Sequence, residues 1–185
     1  VMPCVPGEQP KADKVIKLNT YENPYPPAPG VLECERNMDI TALRLYPDPD
    51  ASLLVGSIAE YYGVDKSEVF VGVGSDDVLA MSFLTFFNSD KPILFPDITY
   101  SFYDVWAELF GIPYVRPALK EDFTIDIEDY MADCGGVIIA NPNAPTSLYE
   151  PAANIEKIVA AHKDAVVIVD EAYIDFGGCL LYTSD

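Results

Sequence analysis

Two aliphatic runs constrain this chain more than anything else in it: "GVIIA" at residues 136–140 and "AVVIVD" at residues 165–170. Neither alternates apolar with polar residues, so neither suits a strand with one face in water. Continuous runs of this length suit strands buried on both faces of a parallel sheet. The stretches around them carry helical spacing. Leu53, Leu54, Ile58, Ala59 and Tyr62 recur at helical intervals and stop at Gly63, which predicts a helix with a glycine terminator. "EVFV" predicts a short strand, and after the turn in "GVGSDD" a helix starts near Ser75 and runs through "VLAMSFLTFF". "KPILF" (strand), "YSFYDVWAELFG" (helix), "IPYVRP" (strand) and "PAANIEKIVAAHK" (helix) complete an alternating order. That order predicts an α/β fold, a mostly parallel sheet with helices on both faces.

Residues 1–50 break the pattern. "YENPYPPAPG" and "YPDPD" carry proline at a density that excludes regular helix or central strand. The expected organisation is therefore an extended Pro-rich N-terminal arm over residues 1–50, a large domain over 51–178, and an atypical tail over 179–185.

Charge and cysteine usage narrow the function classes. Eleven basic against thirty acidic residues give a formal charge of −19, which repels phosphate backbones and anionic lipid alike and argues against a nucleic-acid or membrane-surface partner. Cys4, Cys34, Cys134 and Cys179 form no CxxC pair, and the single histidine, His162, falls in a helix-like stretch. No metal site and no disulfide framework are expected, which favours a reducing, cytoplasmic setting. No apolar run approaches the roughly 18 residues of a membrane span, and the N-terminus lacks the layout of a signal peptide.

In open α/β sheets ligands bind outside the carboxyl ends of the strands, and three loops leave that edge with unusual residues. In "GVGSDD", Gly72 and Gly74 permit a tight turn, and Ser75 opens a helix whose free N–H groups and dipole suit a phosphate. The same residues also read as an ordinary capped helix, with Ser75 as N-cap and Asp76 and Asp77 in the first turn, and on the loop alone that plainer reading is much the stronger. "ANPNAPTS" offers amides to a polar ligand or merely connects a strand to a helix, and the two readings balance. Asp170 and Glu171 end a strand expected to be buried, where an ionised carboxylate is costly unless a cation or several donors meet it. The chain has few basic residues to supply one, so here the functional reading is favoured.

Taken in order, "KLNTYENPY", "LRLYPDPD", "GVGSDD", "FPDITYSFY", "NPNAPTS" and "VDEAYIDFGG" resemble the fold-type-I pyridoxal-phosphate (PLP) aminotransferases. "ENPY" and "DEAYIDF" lean towards the histidinol-phosphate branch. The resemblance implies a PLP cofactor whose pyridine nitrogen is kept protonated by Asp170, with Tyr173 bonding the ring hydroxyl and Glu171 structural. It implies a cofactor-phosphate cup from Gly74, Ser75 and Asp76, and an aromatic ring, Tyr100, stacked on the cofactor. Tyr46 matches a tyrosine sent across a homodimer interface to the neighbouring subunit's cofactor phosphate, and Glu22 and Asn23 fall in the segment that closes over the substrate. The implied reaction is transamination between histidinol phosphate and 2-oxoglutarate, or glutamate and imidazole-acetol phosphate in reverse, in histidine biosynthesis.

Two departures stand out. Where the family reads N-P-N-N-P-T-G, this chain has Ala144 at the second paired asparagine and Ser147 at the glycine, which leaves the ring hydroxyl to Tyr173 with help from Asn143. The family's Schiff-base lysine, in a serine-rich S-K context, lies further past Asp170 than these residues reach, and no lysine follows Lys163. The chain is expected to be truncated before that lysine, with "CLLYTSD" unlike the family's continuation, and to be inactive by itself. Two alternatives stay open: another fold-type-I enzyme, such as an aromatic aminotransferase or threonine-phosphate decarboxylase, and a non-catalytic binding protein that retains the fold.

Overall fold

The computed structural model describes Ile16, Asn23 and residues 25–177. Contacts divide the described residues into two units, one ahead of Gly72 and one from Gly72 onward.

The second unit is built on four parallel strands, β1 (Ile93–Leu94), β2 (Tyr114–Val115), β3 (Gly136–Ala140) and β4 (Val167–Asp170), in the spatial order β2-β1-β3-β4. Its helices are α3 (Ser75–Phe86), α4 (Phe102–Phe110) and α5 (Ala152–Ala161). Side chains alternate across the sheet. Ile93, Phe95, Ile138 and Ala140 pack with Leu79 and Phe83 of α3 and with Tyr103 and Ala107 of α4. Leu94, Val137 and Ile139 pack on the other side with Ile155 and Ile158 of α5 and with Tyr130. Helices on both faces require an apolar residue at every position of a central strand, and all five residues of β3 are buried.

Two expectations for this unit need correction. β4 was expected to be buried, yet it is half-buried along its whole length, because among the described residues it lies at the sheet edge and pairs only with β3. The strand expected at "EVFV" does not form: Lys66–Glu68 make a short 3-10 turn, and Val69, although extended, joins no sheet among the described residues. Tyr130 also brings a buried thiol into place, since its carbonyl lies 2.6 Å from Nε2 of His162, whose Nδ1 lies 3.7 Å from Sγ of Cys134.

The first unit is helical and largely exposed. The expectation of a purely extended arm fails at α1 (Pro29–Arg36). Proline breaks a helix interior but suits its first turn, where its fixed φ is already helical and its missing N–H has no partner to lose. Pro29 takes that place, and no proline follows until Pro47. A 3-10 turn, Ile40–Arg44, is capped by Asp39, whose carboxylate accepts from the Thr41 amide. The predicted helix forms as α2 (Ser52–Tyr62) and stops at Gly63 in the left-handed conformation, φ 72°. Among the described residues no helix is long and apolar enough to cross a membrane.

Candidate functional site

At the carboxyl end of the sheet, a cavity of about 100 Å³ is lined by Ser75, Tyr100, Ala140, Pro142, Ala144, Asp170, Ala172 and Tyr173. Three of the loops singled out in the sequence meet there.

Parallel pairing carries Asp170 to this edge, because β4 runs in register with β3 and places Asp170 beside Ala140. The chain beyond is tied by the Asn141 amide, which donates to the Asp170 carbonyl at 2.8 Å. Asn141 is fully buried, and its side chain bridges the Glu150 backbone, donating to the carbonyl at 3.0 Å and accepting from the amide at 2.9 Å. Both asparagines of the loop are engaged in this way. Asn143 accepts from the Thr99 hydroxyl at 2.7 Å and donates to the Ile98 carbonyl and the Thr146 hydroxyl, each at 3.0 Å. Its neighbour Ala144, not Asn143, lines the cavity.

Among the described residues the Asp170 carboxylate has two donors. Tyr103 donates its hydroxyl to Oδ2 at 2.8 Å, and the Ala172 amide donates to Oδ1 at 3.2 Å. Among the described residues no lysine, arginine or histidine pairs with it. A carboxylate on a half-buried strand, held by neutral donors and open to a cavity, is suited to meet a cation or a protonated heteroatom from a ligand.

The opposite sign of chemistry is offered by α3. Gly74 is its N-cap, with φ 88°, and no side chain caps the helix, so Ser75 is its first residue and not the cap expected from the sequence. The first-turn N–H groups of a helix have no intrahelical partner and carry the positive end of its dipole, which makes them a seat for an anion. Glycine is required twice in this turn. At Gly74 the left-handed φ excludes most side chains, and at Gly72 a Cβ would stand 2.8 Å from Cγ2 of Val78. The Asp76 carboxylate is turned to Tyr100, whose hydroxyl donates to Oδ1 at 2.7 Å. Burial first, then Asp76, raises the Tyr100 hydroxyl well above an ordinary phenol, and burial with Asp170 does the same at Tyr103; both stay protonated donors.

Of the residues predicted for the site, Ser75, Tyr100, Asp170 and Tyr173 share this cavity, with Gly74 and Asp76 adjoining in the α3 turn. Asn23 and Tyr46 belong to the first unit, where the Asn23 side chain accepts from the Tyr25 amide at 2.9 Å and Tyr46 is fully exposed. Glu22 lies outside the described residues. Tyr103 was not anticipated; the only signal was the pair of tyrosines three residues apart in "YSFY", one helical turn on one face.

A family model for aminotransferase class I and II matches residues 13–181. The chain is 55% identical over 178 residues to a histidinol-phosphate aminotransferase of Clostridium beijerinckii, covering 96% of this chain and 50% of that protein. It is 56% identical over 176 residues to histidinol-phosphate aminotransferase 1 of Methylococcus capsulatus, covering 95% and 49%. Among solved structures, the histidinol-phosphate aminotransferase from Clostridium acetobutylicum superposes with a TM-score of 0.70 at 28% identity, over 78% of this chain and 43% of that one. The enzyme from Sinorhizobium meliloti, solved in complex with pyridoxal-5'-phosphate, shares the fold with a TM-score of 0.75 at 23% identity, over 82% and 42%. The chain spans about half the length of the curated relatives it matches. A family model that spans most of the chain and relatives more than half identical to it place the chain in the class I and II aminotransferase family.

Proposed function

We propose that a protein built on this chain is a pyridoxal-5'-phosphate-dependent aminotransferase exchanging an amino group between histidinol phosphate and 2-oxoglutarate, a reversible step of histidine biosynthesis in the cytoplasm. The observation that carries the reading is Asp170, a carboxylate held by two neutral donors, without a cationic partner among the described residues, and open to a cavity that Ser75 at the start of α3 also lines. The relatives that are 55–56% identical carry the histidinol-phosphate name and support the choice of substrate.

The residues present fit the cofactor. Asp170 would offer a carboxylate to a protonated ring nitrogen, the N-terminus of α3 would offer N–H groups to a phosphate, and Tyr100 and Ala172 line the same cavity with apolar surface. When bound, pyridoxal phosphate supplies an electron sink for negative charge at the substrate's α-carbon. Asp170 keeps the proton on the ring nitrogen, and Tyr173 donates to the ring hydroxyl. Main-chain N–H groups of Ser75 and Asp76, freed by the turn at Gly74, would bind the phosphate, and Tyr100 would offer its ring to the cofactor. Asn143 acts through the loop, holding Ala144 at the cavity. In a homodimer, Tyr46 reaches the neighbouring subunit's phosphate, and Glu22 and Asn23 line the substrate. The group that attaches the cofactor covalently is assigned to no residue of this chain, whose share of the function is the cradle.

The test joins residues 1–177 to the C-terminal half of the Clostridium beijerinckii relative and assays amino transfer. The chimera is expected to use histidinol phosphate with 2-oxoglutarate, and Asp170→Asn to reduce its turnover at least about a hundredfold, as loss of a charge-assisted bond worth about 1.5–3 kcal/mol in the ground state and more at the transition state implies. Preference for an aromatic amino acid over histidinol phosphate would overturn the substrate assignment; full activity in Asp170→Asn would overturn the site.

A further inference from the structure

We propose that Tyr103 is a positioning residue for Asp170: its buried hydroxyl fixes the carboxylate plane and leaves the remaining in-plane lone pairs for the ring nitrogen of the cofactor. The inference rests on the function proposed above and extends it to a residue that touches neither cofactor nor substrate.

The geometry is specific. A carboxylate has about four acceptor positions, and an aspartate's last torsion is soft, so its plane turns unless something holds it. Here one oxygen takes the Tyr103 hydroxyl at 2.8 Å and the other the Ala172 amide at 3.2 Å. One donor from α4 and one from the backbone just after β4 fix the plane, and the remaining lone pairs are left for the cavity. The Tyr103 donor is itself immobile. Tyr103 is 0% exposed, and its ring lies against Phe95 at 5.9 Å, Tyr100 at 5.7 Å and Phe83 at 6.4 Å between centroids. It stands in the first turn of α4, so the carboxylate is held from a helix packed on the sheet and not from a loop, the arrangement that keeps a binding group within a fraction of an ångström.

An ordinary core tyrosine would satisfy its hydroxyl wherever an acceptor lay near, but this core does not enforce satisfaction. Tyr130 is almost as deeply buried at 1% exposure, and among the described residues its hydroxyl has no hydrogen-bond partner. Tyr103 instead spends its hydroxyl on the one carboxylate lining the cavity. One turn earlier Tyr100 does the same for Asp76 at the head of α3.

The probe is pyridoxamine 5'-phosphate carrying nitrogen-15 in its ring, an amine that needs no covalent link to a lysine. Affinity by fluorescence and the ring-nitrogen titration by NMR are measured for the wild type, Tyr103→Phe, Asp170→Asn and the double variant, with circular dichroism confirming the fold. The expected result is a ring nitrogen that holds its proton to higher pH when bound than when free. Tyr103→Phe should lower that elevation and weaken binding about tenfold, in line with losses when a group supporting a ligating residue is removed. In the Asp170→Asn background the same change should do nothing further, because its route is gone. If Tyr103→Phe binds and titrates as the wild type does, the inference falls while the cofactor reading stands. If Tyr103→Phe weakens binding equally with and without Asp170, Tyr103 is only packing and the inference again falls. A wild-type chain whose ring-nitrogen titration is unmoved by Asp170→Asn overturns both readings.

Discussion

The side chains that shape the cavity are neutral donors facing carboxylates, and this gives the protein a pH limit on its alkaline side. An unfolded tyrosine ionises near pH 10. In the fold, burial and Asp170 push the Tyr103 hydroxyl up, burial and Asp76 push Tyr100 up, and burial pushes Tyr130 up. A group whose folded pKa is raised contributes stability that is complete below its unfolded pKa and is lost as pH rises towards the folded one. Between about pH 10 and 12 a deeply buried tyrosine such as Tyr103 removes up to about 1.4 kcal/mol per pH unit, and the more exposed Tyr100 removes less, because solvent screens it. Thermal midpoints should therefore hold steady up to about pH 9.5 and fall steeply above it. Tyr103→Phe should lower the neutral midpoint yet flatten the alkaline fall; parallel curves for the two proteins would show that Tyr103 is not one of the responsible groups. A second residue-scale effect lies at Ser147, where the family motif has glycine and the backbone takes φ 61°. The left-handed conformation costs a non-glycine residue about 1–2 kcal/mol, and glycine's extra freedom in the unfolded chain returns about 0.4–1 of that. Ser147→Gly is expected to stabilise by about 0.5 kcal/mol in urea titration, and a loss of stability would mean that the serine side chain holds the loop.

At the scale of elements, the start of β3 is the tightest join in the sheet. A Cβ on Gly136 would stand 2.3 Å from Cε1 of Phe87 and 3.1 Å from the Val166 carbonyl, and one on Gly135 would stand 2.4 Å from the Lys91 carbonyl. Gly136→Ala is expected to destabilise by about 2–3 kcal/mol, the usual cost of overpacking. Adding Phe87→Leu should recover part of it, since the nearest obstruction is a side chain; no recovery would place the cost in the backbone. This join also shows how much the sequence could reveal. The runs in β3 and β4, the helical spacing of α2, α4 and α5 and the glycine stop at Gly63 are local signals, and each formed an element where expected. The expected strand at "EVFV" failed because a strand exists only through a neighbour. The helix at Pro29 was missed because proline's effect depends on whether it begins or interrupts a turn. At the site, Asp170 stood out by its chemistry, while Ser75, Tyr100 and Tyr173 were marked only by the family resemblance; the four line one cavity. Tyr103 was not legible, because its partner lies 67 residues away in sequence, and only the crossing of α4 over the end of β4 joins them.

For the whole molecule, net charge and an open sheet edge act against each other. A formal charge of −19 repels neighbouring molecules and strains the compact state. The ion pairs among the described residues, Lys91–Asp133, Arg116–Asp104 and Lys120–Asp126, are partly or wholly exposed and relieve little of it. Among the described residues β4 has one unpaired side, its side chains are half-buried, and Val166 just before it is 38% exposed. Such an edge is a template for pairing with another chain. At low ionic strength, repulsion between molecules reaches about 30 Å at 0.01 M salt and should keep the edges apart; at 0.15 M it shrinks to about 8 Å, close to the distance at which strands begin to pair. Added salt should accordingly raise the thermal midpoint by relieving self-repulsion while promoting growth in light scattering beyond the size of a dimer. Val169→Lys, which places a charge on the edge strand, should suppress the scattering and leave the salt effect on the midpoint in place. If scattering instead falls as salt is added, charge patches and not the β4 edge drive association, and the lysine variant would then behave as the wild type does.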